Sequence, residues 1–296
     1  MTQQFKDHLE LHFLVILWGF TAILGLLIDL PPAEVVFFRT LISFLLLAII
    51  VKLLGEQFRV DSKDLLRMII IGALFAAHWI TFFLSARLSN ASICLVGMAT
   101  TPLWTSFIEP IINKKRVSKL EAGLSMVTIV GIAIVFQAEF QMAWGLFWAI
   151  VSALLSAVFT ISNKRIAVRF NPFKIMFYEM LSACFFTVAF LLVWSGITST
   201  EIIWKPSSTD LFYLLILAGL CTVYAYSMSV KLLKRLTAFV INFTINLEPV
   251  YGIILAVLFF GESEIMGLGF YLGGLVIFLS VVSYPFLKKH SVTSNY

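Results

Sequence analysis

The chain alternates between long apolar stretches and short polar ones, and the apolar stretches predict its architecture. A helix needs about 20 mostly apolar residues to cross the hydrocarbon core of a membrane. Ten stretches approach or exceed that length, at 11–28, 34–51, 68–86, 88–108, 122–138, 140–163, 175–200, 211–230, 236–261 and 265–287. None shows the segments of roughly ten alternating polar and apolar residues that mark the strands of a membrane barrel. The pattern therefore predicts an all-α polytopic membrane protein with ten transmembrane helices, numbered 1 to 10 below.

Composition excludes the main alternatives to a membrane protein. Hydrophobic residues make up 60% of the 296-residue chain, charged residues only 12%, and the mean hydropathy is +1.00. An average soluble domain is about 45–50% apolar and about 25% charged, so this chain lacks the charge that a soluble surface requires. Its abundant apolar surface also excludes intrinsic disorder. The sequence contains no phosphate-binding loop and no hydrolase motif, so no ATP-driven motor is encoded here.

The basic residues are sorted into alternate loops. Of the 21 lysines and arginines, 18 lie in the N-terminal segment, in the loops after predicted helices 2, 4, 6 and 8, and in the C-terminal segment. Two lie in the other loops, and Arg39 lies inside predicted helix 2. Because cytoplasmic loops carry an excess of lysine and arginine, both termini are predicted to be cytoplasmic. The basic residues of the cytoplasmic face account for the net charge of +5. The charge therefore implies anionic lipid as a neighbour and no nucleic acid.

The two halves of the chain resemble each other. A shift of 147 positions aligns helices 3 and 4 with helices 8 and 9, and a shift of 140 aligns helix 2 with helix 7. The first shift pairs Gly72 with Gly219, Trp79 with Tyr226, Arg87 with Lys234, Ala91 with Ala238, Pro102 with Pro249 and Trp104 with Tyr251. Since each half holds an odd number of helices, the second half enters the membrane from the opposite side. The sequence thus predicts two inverted five-helix repeats, 1–138 and 139–296, which together form one transmembrane domain.

Several of these motifs resemble a known family. The run 247–251, Leu-Glu-Pro-Val-Tyr, with Phe260-Gly261-Glu262 after it, is similar to the ninth helix of the EamA-type family in the drug/metabolite transporter superfamily. Residues 101–104 and 130–133 look like the matching features of the first half, and Trp18-Gly19 and Arg39 also fit. The resemblance implies ten helices in two inverted repeats and a central cavity lined mainly by helices 3, 4, 8 and 9. It further implies movement of small metabolites, including amino acids and nucleotide derivatives.

Polar residues inside the predicted helices are the candidates for function. A charged group at the bilayer centre costs roughly 2.5–3.5 kcal/mol on insertion scales, so it faces a cavity or a partner. The helical rise places Glu248 near the middle of helix 9. Pro249 removes a backbone donor and frees a carbonyl one turn earlier, and transporters use such carbonyls as ligands. Glu248 would bind a substrate ammonium or carry a proton, or else it makes a helix-packing hydrogen bond.

Six further residues complete the predicted substrate site with Glu248. Some share its helix face or the equivalent face of helix 4, and the rest lie at mid-depth in helices 3 and 8. They are Tyr251, Thr101, Trp104, His78, Trp79 and Tyr226. The histidine would bind substrate or a proton, or bond a neighbouring helix. The aromatic side chains would stack on a planar substrate, or belong to the packed core. Pro102 and Pro249 are the predicted hinges.

Four other polar residues are left with open roles. Arg39 and Glu179 are separated by roughly 12 Å along the membrane normal, so we expect each to find a local partner rather than to pair. Asn242 and Asn246 lie on the opposite side of helix 9 from Glu248, because two residues turn a helix by about 200°. One face lines the cavity and the other binds a neighbouring helix, and the Glu248 face is favoured for the cavity.

No metal or cofactor is expected. The three cysteines lie inside predicted helices without metal-ligand spacing, and His8 and His12 have no further ligands beside them. Gly269 and Gly273 form a motif of close helix packing, either within one chain or between two copies in a homodimer.

The sequence predicts a multi-pass transporter of the cell membrane, of bacterial type. Its substrate would be a small organic metabolite such as an amino acid, with export favoured, and the two halves would alternate access to a midplane cavity. The competing interpretations are a non-transporting structural or scramblase-like membrane protein and, less favoured, a membrane-embedded enzyme acting on a lipid-linked substrate. An enzyme is not expected, because such a protein needs clustered catalytic groups at one membrane face and the sequence offers only single ones at mid-depth.

Overall fold

A computed structural model describes residues 3–114 and 116–293, and across these residues it contains helices and loops without strands. The helices are α1 Gln3–Leu27, α2 Pro32–Leu53, α3 Ser62–Leu88, α4 Ala91–Met98, α5 Thr101–Ile112, α6 Lys119–Ala138, α7 Ala143–Ala167, α8 Pro172–Thr198, α9 Ser208–Ala218, α10 Ala225–Leu232, α11 Ala238–Ile245, α12 Glu248–Phe260 and α13 Leu268–Thr293. A π-helical segment, Gly219–Tyr224, joins α9 to α10. The prediction of an all-α protein is confirmed for the residues described.

Nine segments of the described chain are long and apolar enough to cross a bilayer. They are α1, α2, α3, α4 with α5, α6, α7 with the short turn before it, α8, α9 through α10, and α11 with α12. The tenth predicted helix corresponds to α13, which is 26 residues long and begins at Leu268. The protein is therefore a multi-pass membrane protein, and a tenth crossing by α13 stays a prediction.

Polar caps explain where many of the helices begin. The first backbone N–H groups of a helix have no partner within it, and a side-chain oxygen just before the helix accepts from them. Residues that cap in this way are Asp61, Asn90, Ser118, Asn171, Ser207 and Thr237. Asn90 and Thr237 start α4 and α11 at equivalent positions of the sequence repeat, so the repeat extends to the helix caps.

The fourth and ninth spans are each broken in the middle. Helix α4 ends at Met98 and α5 begins at Thr101, while α11 ends at Ile245 and α12 begins at Glu248. Both α4 and α11 are eight residues long. The starts of α5 and α12 lie 147 positions apart, which is the offset that aligns the two halves of the sequence.

A proline accounts for each break. Pro102 and Pro249 lie in the first turns of α5 and α12. Because proline has no N–H, the carbonyls of Met98 and Ile245 lose the donor that a continuous helix would supply. The breaks thus lie just before the two prolines that the sequence predicted as hinges, and movement at them stays a prediction.

Ion pairs and hydrogen bonds gather one set of loops at one end of the bundle. Arg235 donates to both carboxylate oxygens of Asp7 at 2.6 Å, and Arg169 lies 3.4 Å from Asp61. At the same end, Arg165 donates to the Ile112 carbonyl at 2.7 Å and Lys164 to the Leu236 carbonyl at 3.0 Å. We call this the basic end, because these loops carry most of the basic residues. The other end is called the opposite end.

The remaining loops meet at the opposite end. The backbone N–H of Asp29 donates to Asp210 Oδ1 at 2.8 Å, and that of Gly267 donates to Glu139 Oε1 at 3.3 Å. Arg87 donates to the Ile28 carbonyl near the end of α1. Successive loops therefore alternate between the two ends, as the alternation of basic residues in the sequence predicts.

Two glycines bring α6 and α13 into backbone contact. A Cβ at Gly131 would lie 2.8 Å from the Gly273 carbonyl oxygen, and one at Gly269 would lie 2.7 Å from Ala138 Cβ. The Gly269 and Gly273 motif therefore packs within the chain. A homodimer of this protein stays a prediction.

Replacing Gly273 with leucine is expected to lower the midpoint of thermal unfolding in detergent. The new side chain would collide with the Gly131 carbonyl, and overpacking of this kind costs about 1–3 kcal/mol. The matched control is Gly274→Leu on the next residue of the same helix, where no atom lies within 4 Å of an added Cβ. Equal midpoints for the two variants would show that the α6–α13 contact does not limit stability.

Candidate functional site

A central cavity lies between α1, α3, α4, α7, α10, α11 and the start of α12. Six of its eighteen lining residues are tryptophan, phenylalanine or tyrosine: Trp18, Phe75, Trp79, Phe82, Phe159 and Tyr226. Its volume is about 40 Å³, which is room for about three waters at roughly 10–15 Å³ each. The bundle is therefore tightly packed around the cavity in this conformation.

Four of the seven residues predicted for the substrate site line this cavity. They are Glu248, His78, Trp79 and Tyr226. They come from α3, α10 and α12, and all but Tyr226 are less than 9% exposed. The first residue of α12 carries the carboxylate to the cavity, so the helix break described above sets the position of Glu248.

The other three predicted site residues lie away from the cavity. Thr101 Oγ1 donates to the Met98 carbonyl at 2.7 Å, so this hydroxyl is used within its own chain segment. Trp104 packs at the margin of the main hydrophobic core. Tyr251 follows Glu248 in α12 and is not among the lining residues, and the face of α11 that lines the cavity carries Ile241 and Ile245. A role for Thr101, Trp104 and Tyr251 in substrate binding stays a prediction.

His78 is fixed by α7, and its hydrogen bonds define its tautomer. Its Nδ1 lies 3.0 Å from the Ser152 carbonyl oxygen and 2.7 Å from Ser152 Oγ. The Ser152 hydroxyl donates to the His78 carbonyl at 2.8 Å. A carbonyl only accepts, so Nδ1 carries the proton and Nε2 is left as an acceptor. The cavity is therefore lined by a histidine that offers a hydrogen-bond acceptor.

Arg39 lies behind the aromatic wall. Its guanidinium carbon is 3.9 Å from the centre of the Trp79 ring, and its Nε donates to Thr222 Oγ1 at 2.7 Å. Trp79 Nε1 in turn donates to the Tyr226 hydroxyl at 3.4 Å. Thr222 belongs to the π-helical segment, whose wider turn lets its hydroxyl also reach the Leu217 carbonyl at 2.8 Å. Arg39 therefore connects α2 to this segment and holds the Trp79 ring from outside the cavity.

Glu179 has a different partner, in agreement with the expectation that the two charges do not pair. Its Oε2 accepts a hydrogen bond from Asn163 Nδ2 at 3.2 Å. Asn163 lines the cavity toward the basic end, while Glu179 itself is fully buried behind it. The contact thus joins a cavity residue of α7 to the core of α8.

The asparagine face of α11 binds a neighbouring helix. Asn242 Nδ2 donates to Thr105 Oγ1 at 2.8 Å and so ties α11 to α5. Asn246 is buried at the helix break and does not line the cavity. Of the two faces considered from the sequence, the geometry places Glu248 at the cavity and the two asparagines away from it.

Several lining residues were not anticipated from the sequence. Trp18, Phe75, Phe82 and Phe159 are aromatic residues in an aromatic-rich chain, and nothing in the pattern separates them from core residues. Asn163 did carry a signal, because an amide near the end of an apolar stretch usually has a specific partner. Its place at the end of the stretch, where polar residues are common, weakened that signal.

A second, larger cavity of about 540 Å³ lies on the other side of α3. Its wall includes Trp148, Phe190 and Trp194, together with Glu34 near the start of α2. It is separated from the central cavity by the seam where α3 and α7 join through His78 and Ser152. The wall is mainly apolar, as expected where helices diverge toward lipid.

Known proteins resemble this chain along most of its length. The model of the EamA-like transporter family matches residues 11–137 and again residues 143–284. A curated relative from Archaeoglobus fulgidus, named an uncharacterized transporter, is 22% identical over 170 residues, which are 56% of this chain and 60% of the relative. The pseudopaline exporter CntI of Pseudomonas aeruginosa is 29% identical over 171 residues, which are 56% of this chain and 58% of that protein.

The match thus spans about three fifths of the length of each curated relative. A solved crystal structure of another protein superposes with a TM-score of 0.71 at 13% identity, and the match covers 95% of this chain and 98% of that one. At this identity the likeness shows a shared fold. The family match covers both halves of the chain, and it agrees with the motifs quoted from the sequence. The chain belongs to the EamA-like transporter family.

Proposed function

We propose that this protein is a secondary transporter of a small organic metabolite, such as an amino acid or a related compound, and that it exports its substrate. The observation that carries the proposal is the narrow central cavity, whose wall brings a buried carboxyl group, a histidine and six further aromatic side chains together beside two broken helices. Broken helices around a buried site are typical of transporters. The direction of transport is supported by one relative, which is named an exporter.

The mechanism that we propose is alternating access by two inverted repeats, 1–138 and 139–296. Three observations support it: the family model matches the chain twice, the helix breaks lie one repeat apart, and successive loops alternate between the two ends. The basic end would face the cytoplasm of the cell, with both termini on that side, since it carries 18 of the 21 lysines and arginines.

Contacts between the two halves close the basic end. Arg235 donates two hydrogen bonds to Asp7 from across the molecule. Glu109 Oε2 accepts from the Phe239 N–H at 3.1 Å, which joins α5 to α11. The cavity wall reaches toward these contacts through Leu233. These pairs would therefore have to separate when the cavity opens to the cytoplasm.

Replacing Arg235 with alanine is expected to favour the state that is open at the basic end. The pair is partly exposed, so its loss is worth about 1 kcal/mol, or about a fivefold change in the ratio of states. The measurement is the alkylation rate of a cysteine placed at Leu233, which should rise about fivefold. Arg67→Ala is the control, since Arg67 pairs with Asp64 within α3 at the same end. An unchanged rate would show that the Asp7–Arg235 pair does not hold the cavity closed.

The proposed function is tested by uptake into proteoliposomes. Purified protein is reconstituted, and flux is measured for labelled amino acids, amines, nucleosides and sugars. Saturable flux of at least one compound, above that of protein-free vesicles, is the expected result. Absence of flux for the whole panel would contradict the proposal, and movement of fluorescent lipid without solute flux would favour the scramblase alternative.

A further inference from the structure

We infer that the central cavity recognises the primary ammonium group of its substrate, through the Glu248 carboxylate and the Ile245 backbone carbonyl. The rest of the substrate packs against the aromatic wall, so its class is an aromatic amine. This inference rests on the proposed transport function and specifies the group that the site binds.

The two helix breaks differ in how their free carbonyls are satisfied. In the first half, the Met98 carbonyl lacks a helical donor because of Pro102, and Thr101 supplies one with its hydroxyl at 2.7 Å. In the second half, Pro249 likewise deprives Ile245 of its donor. The residue equivalent to Thr101 is Glu248, whose carboxylate, once a cation is bound beside it, has no proton to donate. Two acceptors therefore lie within one turn of each other at this break.

Met98 and Ile245, the two residues whose carbonyls lose their helical donor, both line the central cavity, as Glu248 does. An acceptor pair beside a cavity with room for only about three waters favours a ligand that donates hydrogen bonds, since unsatisfied polar groups inside a membrane are costly. A primary ammonium brings three N–H donors and the charge that compensates a carboxylate.

Other side chains of the cavity add acceptors. His78 offers Nε2, because its Nδ1 proton is already donated to Ser152. Asn163 Oδ1 has no hydrogen-bond partner among the described residues. Trp18 Nε1 is a donor that likewise lacks a partner there. Arg39, the cation nearest to the wall, is outside the lining and stacked on Trp79. The acceptors named here outnumber the donors, so the cavity favours a ligand that donates hydrogen bonds over one that accepts them.

The aromatic wall accounts for the rest of the ligand. Trp18 and Tyr226 have ring centres 5.0 Å apart, and Phe75 stacks on Phe159 at 4.0 Å. The faces of such rings attract cations and stack on planar apolar groups. An aromatic body beside an ammonium therefore matches both parts of the cavity.

The test is a binding series of indole compounds that differ only in charge and in N–H donors. Tryptamine is a primary ammonium, its N,N,N-trimethyl derivative is a cation without N–H donors, tryptophan is a zwitterion and indole-3-propionate is an anion. Calorimetry with the full-length protein in detergent at pH 7 should show tryptamine binding at least about tenfold more tightly than the anion and the trimethyl derivative. Tighter binding of the anion or the zwitterion than of tryptamine would overturn the inference.

Variants identify the site. Glu248→Gln should weaken tryptamine binding at least about tenfold and remove the preference over the anion. Glu248→Thr should do the same, because a hydroxyl in this place closes on the Ile245 carbonyl as Thr101 does on Met98. Glu34→Gln is the matched control, as it removes a buried carboxyl that lines the other cavity and should leave tryptamine binding unchanged. Tryptamine binding within twofold of the original in Glu248→Gln would contradict the assignment.

The outcomes separate this inference from the proposed function. Flux of other compounds by a protein that does not bind tryptamine would overturn the amine site and leave transport intact. Tryptamine binding that depends on Glu248, without flux of any compound, would support the amine site and contradict transport. If the Glu248 variants do not fold, the order of affinities among the four ligands for the unaltered protein decides the matter.

Discussion

Replacing Gly252 with leucine is expected to abolish transport and to lower the yield of folded protein. Helices α1 and α12 touch through their backbones here. A Cβ at Gly252 would lie 3.2 Å from the Gly19 carbonyl oxygen and would also meet Leu95, while one at Gly19 would lie 3.2 Å from the Glu248 carbonyl oxygen. A larger side chain must push the two helices apart, at a cost of about 1–3 kcal/mol or more.

The effect on transport should exceed the effect on stability, because Glu248 lies one turn before Gly252 on the same helix. Separation of α1 from α12 moves the carboxylate relative to the cavity. The measurements are size-exclusion profiles for folded protein and proteoliposome flux per folded molecule. Gly123→Leu in α6 is the control, since an added Cβ there meets no atom within 4 Å. Normal flux from Gly252→Leu would show that this helix contact does not position the site.

Arg39→Lys is expected to lower transport at least about tenfold even though it keeps a positive charge. Lysine lacks the planar group that stacks on Trp79 at 3.9 Å, and it lacks the Nε–H that Thr222 accepts. A desolvated cation–π contact is worth about 2 kcal/mol and a charged hydrogen bond about 1.5–3 kcal/mol. Loss of both frees the Trp79 ring and, through it, Tyr226.

A second variant separates the loss of the Arg39 hydrogen bond from the loss of its stacking on Trp79. Thr222→Val removes the acceptor but leaves the stacking in place, so it should lower transport less than Arg39→Lys does. The double variant should be no worse than about the Arg39→Lys variant, since both changes break the same contact. Flux and the thermal unfolding midpoint are measured for all three. Full activity of Arg39→Lys would show that any cation suffices at this position.

Much of the fold could be predicted because membrane constraints act on the sequence directly. The need for apolar residues along each span made the helices visible, and the sorting of basic residues made the alternation of loops visible. Pro102 and Pro249 marked the two breaks because only proline lacks the N–H.

The site could be predicted only where a single residue carries its own signal. Glu248 and His78 stand out because polar groups inside a membrane are costly. The equivalence that the sequence repeat gives Thr101 and Glu248 does not extend to their surroundings, since Glu248 lines the cavity and Thr101 bonds the Met98 carbonyl. The π-helical segment left no mark in the sequence, since its hydrogen bonds depend on packing against Arg39 rather than on residue type.

The number of residues in the π-helical segment helps to define the substrate site. Each residue of an α-helix adds about 100° of rotation, so the surplus residue of a wide turn changes the direction of every side chain that follows it. Tyr226 comes two residues after Gly219–Tyr224 and reaches the cavity because of that surplus. Deletion of one residue from the segment would turn the ring away while leaving every lining residue in the sequence. The set of side chains that contact the substrate thus depends partly on the number of residues in the π-helical segment. A comparison of side-chain identities alone does not show this dependence.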